Sequence, residues 1–529
     1  MSGIAIEGSE RTATGSMRGR MPGRNLLLAL VFLSGMTSLA VEFLAARLLA
    51  PYFGTSLYVW GVLIGLVLVY LSAGYVIGGR LADRLPRADI LFQITAVAAL
   101  WIGVVPLVAY PILLLSQQGF ATLSAGLVIG TLLAVVLLFA LPVVLLGCVS
   151  PFAIRLLLRN VETGGNTAGA VYALSTAGSI LGTFLPVFWF IPSYGTRPTM
   201  IGFSLVLLAL SVIGLWPRKR LYAALGVLVI GAGVLLHGVG IKPAEQGRLV
   251  YEKESAYNYI QVVQSGDETQ LALNEGQAIH SIYDPDTEIT QGPWDYMLLA
   301  PYFQPSRAAE PRPRSVLIIG LAGGTSAAQY RAAFGDSVQI TGVEIDPDIV
   351  SVADRYFHLG ATNTDVVVQD GRYYLATDRH KYDVIVMDAY RQPYIPFHLT
   401  TREFFQLARD HLNPGGVAVV NAGRTARDYR LVDAVASTMR PVYSSVLLVD
   451  VPERFTNTLV YGTTEPVGVG DVEHNLALAR EPLVREIATS AEQGGDLRVS
   501  PYRDQVYTDD LAPVERLIDQ IILGYISGR

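Results

Sequence analysis

Glycines and carboxylates follow the ends of successive short apolar runs in the second half of the chain. Gly320-Leu321-Ala322-Gly323-Gly324-Thr325 comes after the first run, and Glu344-Ile345-Asp346, Asp370-Gly371 and Asp388-Ala389-Tyr390 come after later ones. Glycine lets a backbone approach a ligand closely, and a helix that follows the loop offers free N–H groups. An acid 24 residues past Gly320 is suited to ribose hydroxyls, and Asp370 is suited to an adenine amino group.

These residue types predict a nucleoside-type ligand, although each acid taken alone is more often a helix cap. The candidate nucleoside-binding residues are Gly320, Gly323, Gly324, Glu344, Asp346, Asp370 and Gly371.

The elements that must position these residues alternate from Ser315 onward. Buried strands are predicted at Val316–Ile319, Gln339–Val343, Asp365–Val368, Val384–Met387 and Val417–Val420. Helices are predicted at Ser326–Phe334, Pro347–Tyr356, Thr401–Leu412 and Arg427–Met439, and two further strands at Ser445–Val449 and Thr458–Tyr461. This alternation predicts a Rossmann-like, doubly wound parallel sheet over residues 315–529. Ligands bind such sheets beyond the carboxyl ends of the strands.

A smaller β region precedes this domain. Residues 249–304 alternate apolar and polar side chains around Gly266-Asp267, which predicts β-hairpins. The segment Arg307–Arg314, rich in proline and arginine, is a predicted linker.

The first half of the chain is apolar. The whole chain is 51% hydrophobic and only 16% charged, with a mean hydropathy of +0.40, which is unusual for a soluble enzyme. Residues 25–240 are expected to form a bundle of about seven membrane-spanning helices, behind a disordered basic tail over residues 1–24. The seven runs are Asn25–Leu49, Leu57–Gly79, Ala88–Leu115, Ala121–Cys148, Thr167–Ile191, Thr199–Trp216 and Leu221–His237. Of these, Thr167–Ile191, which contains Pro186, is the one expected to be broken or re-entrant.

Loop charges predict an orientation in the inner (plasma) membrane. Residues 1–240 hold 14 Lys and Arg against 6 Asp and Glu, and the remainder holds 25 against 39. The basic residues fall in the N-terminal tail and in the loops after the second, fourth and sixth runs, so the N-terminus is expected in the cytoplasm. Seven crossings would place the acidic half outside, whereas a nucleoside cofactor would require it in the cytoplasm, and the sequence leaves that side open.

Three charged residues of the bundle are candidates for a function there: Glu42, Arg47 and Asp83. Glu42 within a span suggests a substrate or ion site, or alternatively a structural pair with Arg47. Asp83 lies in Gly78-Gly79-Arg80-Leu81-Ala82-Asp83-Arg84, which resembles a cytoplasmic loop of major-facilitator transporters or is a simple basic turn. The acidic second half argues against a nucleic-acid partner. The single cysteine, Cys148, excludes an internal disulfide and any cysteine-based metal cluster.

Several motifs resemble the spermidine synthase (polyamine aminopropyltransferase) family, and more closely its bacterial members with a fused multi-span membrane region. The similar stretches are Glu254–Ile260, Val343–Asp346, Val368–Arg372, Tyr382–Asp388 and a tail at Tyr507–Glu515, with Ser38–Gly54 and Gly78–Arg84 in the membrane half.

The resemblance implies an aminopropyl transfer from decarboxylated S-adenosylmethionine to a small amine. Glu344 would bind the ribose, Asp370 would lie near the adenine, and Asp388 would take the proton from the attacking amine. Asp295, Tyr296 and Tyr390 are candidates for holding the rest of the amine substrate. The family chemistry needs no metal, because the sulfonium is already an activated leaving group. A homodimer is a further expectation, beside the lipid bilayer as a partner.

The amine side departs from the family pattern. Gly323 stands where the family has an aspartate, and Ala389-Tyr390-Arg391 follows Asp388 where a second aspartate is expected. Trp294-Asp295-Tyr296 replaces a Tyr-His-Glu motif, Asn258 replaces a glutamine, and Asn274 replaces the aspartate of a Leu-Asp-Gly motif. Two alternatives therefore stay open. One is a different transferase that uses S-adenosylmethionine, and the other is a non-catalytic or transport protein.

Overall fold

The structure is a computed structural model that describes most of residues 23–526. The segments outside the description are 54–56, 121–125, 159, 216–219, 236–240, 275–277, 307–310, 391–394, 453–454, 495–496 and 501–505. The predictions for Arg391 and for the basic tail up to position 22 lie outside the described residues, as does most of the predicted linker.

Nine helices are described in the apolar half. They are Arg24–Phe53 (α1), Leu57–Arg84 (α2), Ala88–Phe120 (α3), Gly126–Gly147 (α4), Val149–Leu157 (α5), Gly164–Leu185 (α6), Ile191–Tyr194 (α7), Thr196–Leu215 (α8) and Leu221–Leu235 (α9). By length and composition, six helical stretches of the described part could cross a membrane. The seventh predicted run forms α9, whose 15 residues span about 22 Å, less than the roughly 30 Å of a bilayer core. The expected seven full-length spans are thus corrected to six and one shorter helix.

Helix α6 continues through a π-helical turn into α7. The turn comprises Pro186–Phe190, and it accommodates Pro186, which has no N–H to donate to the preceding helical turn. The stretch Gly164–Tyr194 as a whole is long enough to cross a membrane. The predicted interruption of this span is therefore a bulge and not a break.

The polar half begins at one end of the bundle. An ion pair of 3.1 Å between Asp83 and Arg155 marks the other end, where α2 finishes and α5 lies. Helix α9 runs antiparallel along α8, since Gly226 packs on Leu208 and Gly233 packs on Ile201. The chain therefore leaves the bundle at the end opposite the Asp83–Arg155 pair.

A four-stranded antiparallel sheet follows the bundle, in the order β1-β2-β3-β4. Its strands are Arg248–Glu254 (β1), Tyr259–Ser265 (β2), Glu268–Leu273 (β3) and Ile279–Tyr283 (β4). The turn between β2 and β3 uses Gly266, whose φ of 65° favours glycine. A short helix, Pro293–Met297 (α10), leads to the second sheet.

The second sheet has eight strands in the order β12-β10-β11-β9-β8-β5-β6-β7. The strands are Ser315–Ile319 (β5), Gln339–Glu344 (β6), Asp365–Val368 (β7), Tyr382–Met387 (β8), Leu412–Gly423 (β9), Ser445–Asp450 (β10), Asn457–Thr463 (β11) and Arg498–Val499 (β12). The helices are Thr325–Phe334 (α11), Pro347–Tyr356 (α12), Gly371–Thr377 (α13), Arg402–Asp410 (α14), Arg430–Met439 (α15), Val469–Ala477 (α16), Pro482–Gly494 (α17) and Val514–Ile526 (α18).

Strands β5 to β9 pair in parallel, and β10 to β12 pair antiparallel to their neighbours. Side chains of α11, α16 and α17 bury one face of the sheet, and those of α13, α14, α15 and α18 bury the other. This arrangement confirms the predicted fold class. The strand order reverses at β5, between β6 and β8, so a ligand crevice is expected beyond the carboxyl ends of these strands.

Candidate active site

The loops after β5 and β8 meet at the point where the strand order reverses. The Asp388 N–H donates to the Ile319 carbonyl oxygen at 2.9 Å, which holds the two strand ends together. Gly320 has a φ of 87°, and a Cβ atom there would lie 2.6 Å from the Asp388 carbonyl oxygen. Glycine is therefore required at position 320 for both conformation and space.

Glu344 ends β6 and lies under the glycine loop. One carboxylate oxygen accepts the Ala322 N–H at 3.0 Å, and the other accepts the Asp346 N–H at 3.1 Å. The side chain is buried, and burial raises the pKa of Glu344 to about 7 against these two hydrogen bonds. Its position beside the glycine loop fits a ribose-binding carboxylate.

Asp346 and Asp370 both cap helices. Asp346 accepts the Asp348 N–H at the start of α12, and it is fully buried. Asp370 accepts the N–H groups of Arg372 and Tyr373 at the start of α13. Its other oxygen lies 3.2 Å from Nε2 of His398. The capping alternative is therefore correct for both residues, and the partly exposed Asp370 still borders the crevice.

Asp388 follows the end of β8 and is held by two side chains. The Asn421 amide donates to it at 2.8 Å, and the Trp294 indole N–H donates to it as well. Burial raises the pKa of Asp388 to about 7, and these two hydrogen bonds oppose the rise. A carboxylate with this pKa is about half ionised at neutral pH, which suits a group that accepts a proton.

The predicted amine-binding side chains are engaged in the protein. Both oxygens of Asp295 accept hydrogen bonds, from Thr290, Gln291 and Gln329, and burial raises its pKa. The Tyr390 hydroxyl donates to the Asn421 carbonyl oxygen and accepts the Gly423 N–H, both at 2.9 Å. These contacts brace the 290–291 loop and the end of β9.

Tyr296 is buried in the core beside α10, and burial raises its pKa to about 12. Its backbone carbonyl oxygen accepts the Tyr461 hydroxyl at 2.6 Å. Tyr296 therefore links α10 to β11.

Gly323 has no room for the acidic side chain of the family pattern. A Cβ atom there would lie 2.7 Å from the Cβ of Ser281, and the Ser281 hydroxyl accepts the Gly323 N–H at 2.8 Å. A pocket next to this loop is lined in part by Asp284, Glu288 and Gly324. Acidic side chains thus enter this pocket from the segment after β4 and not from the glycine loop.

The three bundle candidates are far apart in their roles. Asp83 pairs with Arg155, and Arg47 donates to the Ser255 carbonyl oxygen at 2.5 Å. Glu42 is half-buried in α1 and forms no ion pair among the described residues. The structural pair between Glu42 and Arg47 is therefore not formed.

Asn421 and Trp294 were missed as site residues. Asn421 directly follows the predicted strand Val417–Val420, so the strand-end rule used for the four acids could have identified it. Its side chain also accepts the Asn457 amide at 2.8 Å, which fixes its orientation towards Asp388. No sequence signal joins Trp294 to Asp388, because the contact depends on how α10 packs on the sheet.

A glycine loop, an acid at the end of β6 and a proton-accepting acid after β8 border one crevice. Fold and site together define a nucleoside-binding α/β protein of the methyltransferase type. A model of the spermine/spermidine synthase domain matches residues 305–467. A "probable polyamine aminopropyl transferase" of Bifidobacterium longum (strain NCC 2705) is 36% identical over 298 residues, 52% of this chain and 64% of that relative. The polyamine aminopropyltransferase of Vibrio vulnificus (strain CMCP6) is 30% identical over 41% of this chain and 72% of its own length. The chain belongs to the spermidine synthase (polyamine aminopropyltransferase) family.

The matches leave parts of the relatives uncovered, since the alignment spans less than two thirds of the Bifidobacterium protein. Among solved structures, a spermidine synthase in complex with the transition-state analogue AdoDATO is 20% identical and covers 46% of this chain and 89% of its own, at a TM-score of 0.36. A probable spermidine synthase of Corynebacterium glutamicum ATCC 13032 is 16% identical and covers 50% of this chain and 98% of its own, also at 0.36.

Proposed function

We propose that the chain is a membrane-embedded aminopropyltransferase that uses decarboxylated S-adenosylmethionine as the donor and a di- or polyamine as the acceptor. The observation that carries this function is the Asp388 carboxylate, held by Asn421 and Trp294 at the same crevice as Glu344. In the reaction, the acceptor nitrogen forms a bond to the aminopropyl carbon while the carbon–sulfur bond breaks. 5′-Methylthioadenosine then leaves, and the amine loses one proton.

The role of Asp388 is to hold the attacking amine and to accept that proton. Glu344 and Asp370 would bind the ribose and the adenine, and the glycine loop would let the nucleoside approach the backbone. These assignments agree with the order of the residues along the strand ends.

The acceptor-side charge favours a cationic substrate over a carboxylated one. S-adenosylmethionine carries a carboxylate, and the pocket beside Gly323 is lined by Asp284 and Glu288, which would repel it. The same two acids would attract an ammonium group. This observation favours the decarboxylated donor, and it offers an amine site in place of the missing family aspartate.

Embedding in the membrane is supported by the six long apolar helices. The Arg residues near the Asp83–Arg155 end favour that end on the cytoplasmic side.

The test is a transfer assay on the full chain in lipid discs. Release of 5′-methylthioadenosine is measured with the decarboxylated donor and a panel of di- and polyamines. Asp388→Asn should lower kcat by about 100-fold or more, with nucleoside binding largely kept. The control is Asp365→Asn, an exposed acid at the start of β7, which should keep full activity. Full activity of the Asp388→Asn variant would refute the proposal.

The amine site has its own test. Glu288→Gln should raise the KM for the amine several-fold and leave the KM for the donor unchanged, because only the ammonium loses an attractive charge. An unchanged amine KM would remove Glu288 from the amine site and leave the role of Asp388 unaffected.

A further inference from the structure

Arg47 of α1 reaches out of the apolar half into the polar half. Its guanidinium donates to the Ser255 carbonyl oxygen at 2.5 Å. Ser255 lies in the turn between β1 and β2 and is fully buried. A residue in the last two turns of a bundle helix thus holds the backbone of a turn in the small sheet.

That turn is in direct contact with a strand-end acid. The Ser255 hydroxyl accepts the Asn258 N–H at 2.8 Å, and it donates to the Asp346 carboxylate. The Asn258 amide donates to the same carboxylate oxygen at 3.0 Å. The position of Asp346 is therefore set in part by the turn that Arg47 holds.

Asp346 in turn is bonded to Glu344. Its backbone N–H donates to one Glu344 oxygen at 3.1 Å, while its own carboxylate caps α12. A shift of Asp346 would therefore move the carboxylate that we assign to the ribose.

We propose that Arg47 is a positioning residue of the nucleoside site, acting through Ser255 and Asp346 on Glu344. The inference rests on the proposed function, because it assigns Glu344 to the nucleoside. The bundle then completes the nucleoside site as well as anchoring it, and the contacts form a continuous path of the kind through which distant groups can be coupled.

The experiment measures binding of 5′-methylthioadenosine by calorimetry and transfer kinetics on the full chain in lipid discs. Arg47→Gln should raise the Kd about tenfold and leave kcat at saturating donor within about twofold. Ser255→Ala keeps the carbonyl group that Arg47 binds but loses the hydroxyl, and it should weaken binding similarly. The double variant should be no weaker than about the stronger single effect, because both changes break one path.

The matched control is Arg197→Gln. Arg197 also lies where the bundle meets the polar half, and its guanidinium donates to the Ile241 carbonyl oxygen, which has no printed link to Asp346. Its Kd should stay within about twofold of the wild-type value. An unchanged Kd in Arg47→Gln, or an equal rise in Arg197→Gln, would overturn the proposal, since only general docking of the two halves would then matter. If Arg47→Gln does not fold, Ser255→Ala decides: an unchanged Kd in that variant overturns the path. Wild-type protein that binds no 5′-methylthioadenosine would overturn the proposed function itself.

Discussion

Asp388 and Glu344 are two carboxylates that the fold removes from water without a cationic partner among the described residues. Burial raises the pKa of each to about 7. Hydrogen bonds from neutral groups, the Asn421 amide and two backbone N–H groups, keep these values from rising further. The chemistry at this crevice is therefore set by a balance between burial and neutral donors.

The pH profile should report that balance at Asp388. Because the base must be ionised, kcat/KM should fall as the pH drops below about 7. Asn421→Ala removes a hydrogen bond that stabilises the ionised form, so the acid limb should move about one unit to higher pH. Asn413→Ala is the control, since Asn413 donates to Asp383 at the opposite end of the same strands. An unshifted limb in Asn421→Ala would exclude Asp388 as the titrating group.

Stability should report the balance at Glu344. The folded pKa of about 7 lies above the unfolded value of roughly 4.3, so ionisation costs the folded state. The cost appears as the pH rises past about 4 and is complete above about 7, reaching at most about 3 kcal/mol.

Glu344→Gln removes that cost, together with a pH-independent change in hydrogen bonding. The thermal midpoint of the variant relative to wild type should therefore improve between about pH 4.5 and pH 8. The exposed Glu473→Gln should show no such trend. A relative midpoint that is flat across this range would contradict the raised pKa.

The sequence predicted the acids of the site but not their partners. Strand-end positions follow from periodicity, because the carboxyl ends of parallel strands share an edge. The bonds of Asp295 to Gln329 and of Asn421 to Asp388 join residues 34 and 33 positions apart. Such contacts depend on tertiary packing, for which periodicity holds no information.

At the scale of elements, α1 and α6 pack through glycine. Gly178 and Gly182 place the backbone of α6 directly against Phe32 and Met36 of α1. Close approach through small residues is how membrane helices associate when there is no hydrophobic drive between them. The pattern of apolar runs predicted the helices, but it did not predict which of them touch.

Gly182→Ala should destabilise the bundle, because its Cβ would overlap the Met36 carbonyl group. We expect a loss of about 1–3 kcal/mol, seen as a lower thermal midpoint in detergent. Gly169→Ala, in the same helix with nothing near its Cβ position, should be neutral or slightly stabilising. Equal midpoints for the two variants would show that α6 does not contact α1 through Gly182.

At the scale of the whole molecule, the polar half occupies one end of the bundle and the Asp83–Arg155 pair occupies the other. Lys242, buried at 4% exposure, donates to the Pro51 carbonyl oxygen at 3.3 Å. Glu254 accepts both the N–H and the hydroxyl of Thr196 at the start of α8. The two halves are thus joined by polar groups from several elements, which no run of sequence could predict.

Reporters should place the two ends on opposite sides of the membrane. A reporter inserted near residue 160 and one fused after Arg529 should give opposite signals, and the basic loops favour the C-terminus outside. The aminopropyl donor would then have to reach that side. Matching signals from the two reporters would contradict the path of α9, and an even number of crossings would follow.

The polar junction also limits how the protein can be dissected. A chain cut at residue 241 would expose the buried ammonium group of Lys242, the Glu254 carboxylate and the Ser255 carbonyl group to solvent, all without their partners on α1 and α8. Such a fragment would be soluble by composition but altered at the turn beside Asp346. Weak activity in that fragment would then measure the surgery and not the enzyme, so kinetic work on this protein should begin with the intact chain in a lipid environment.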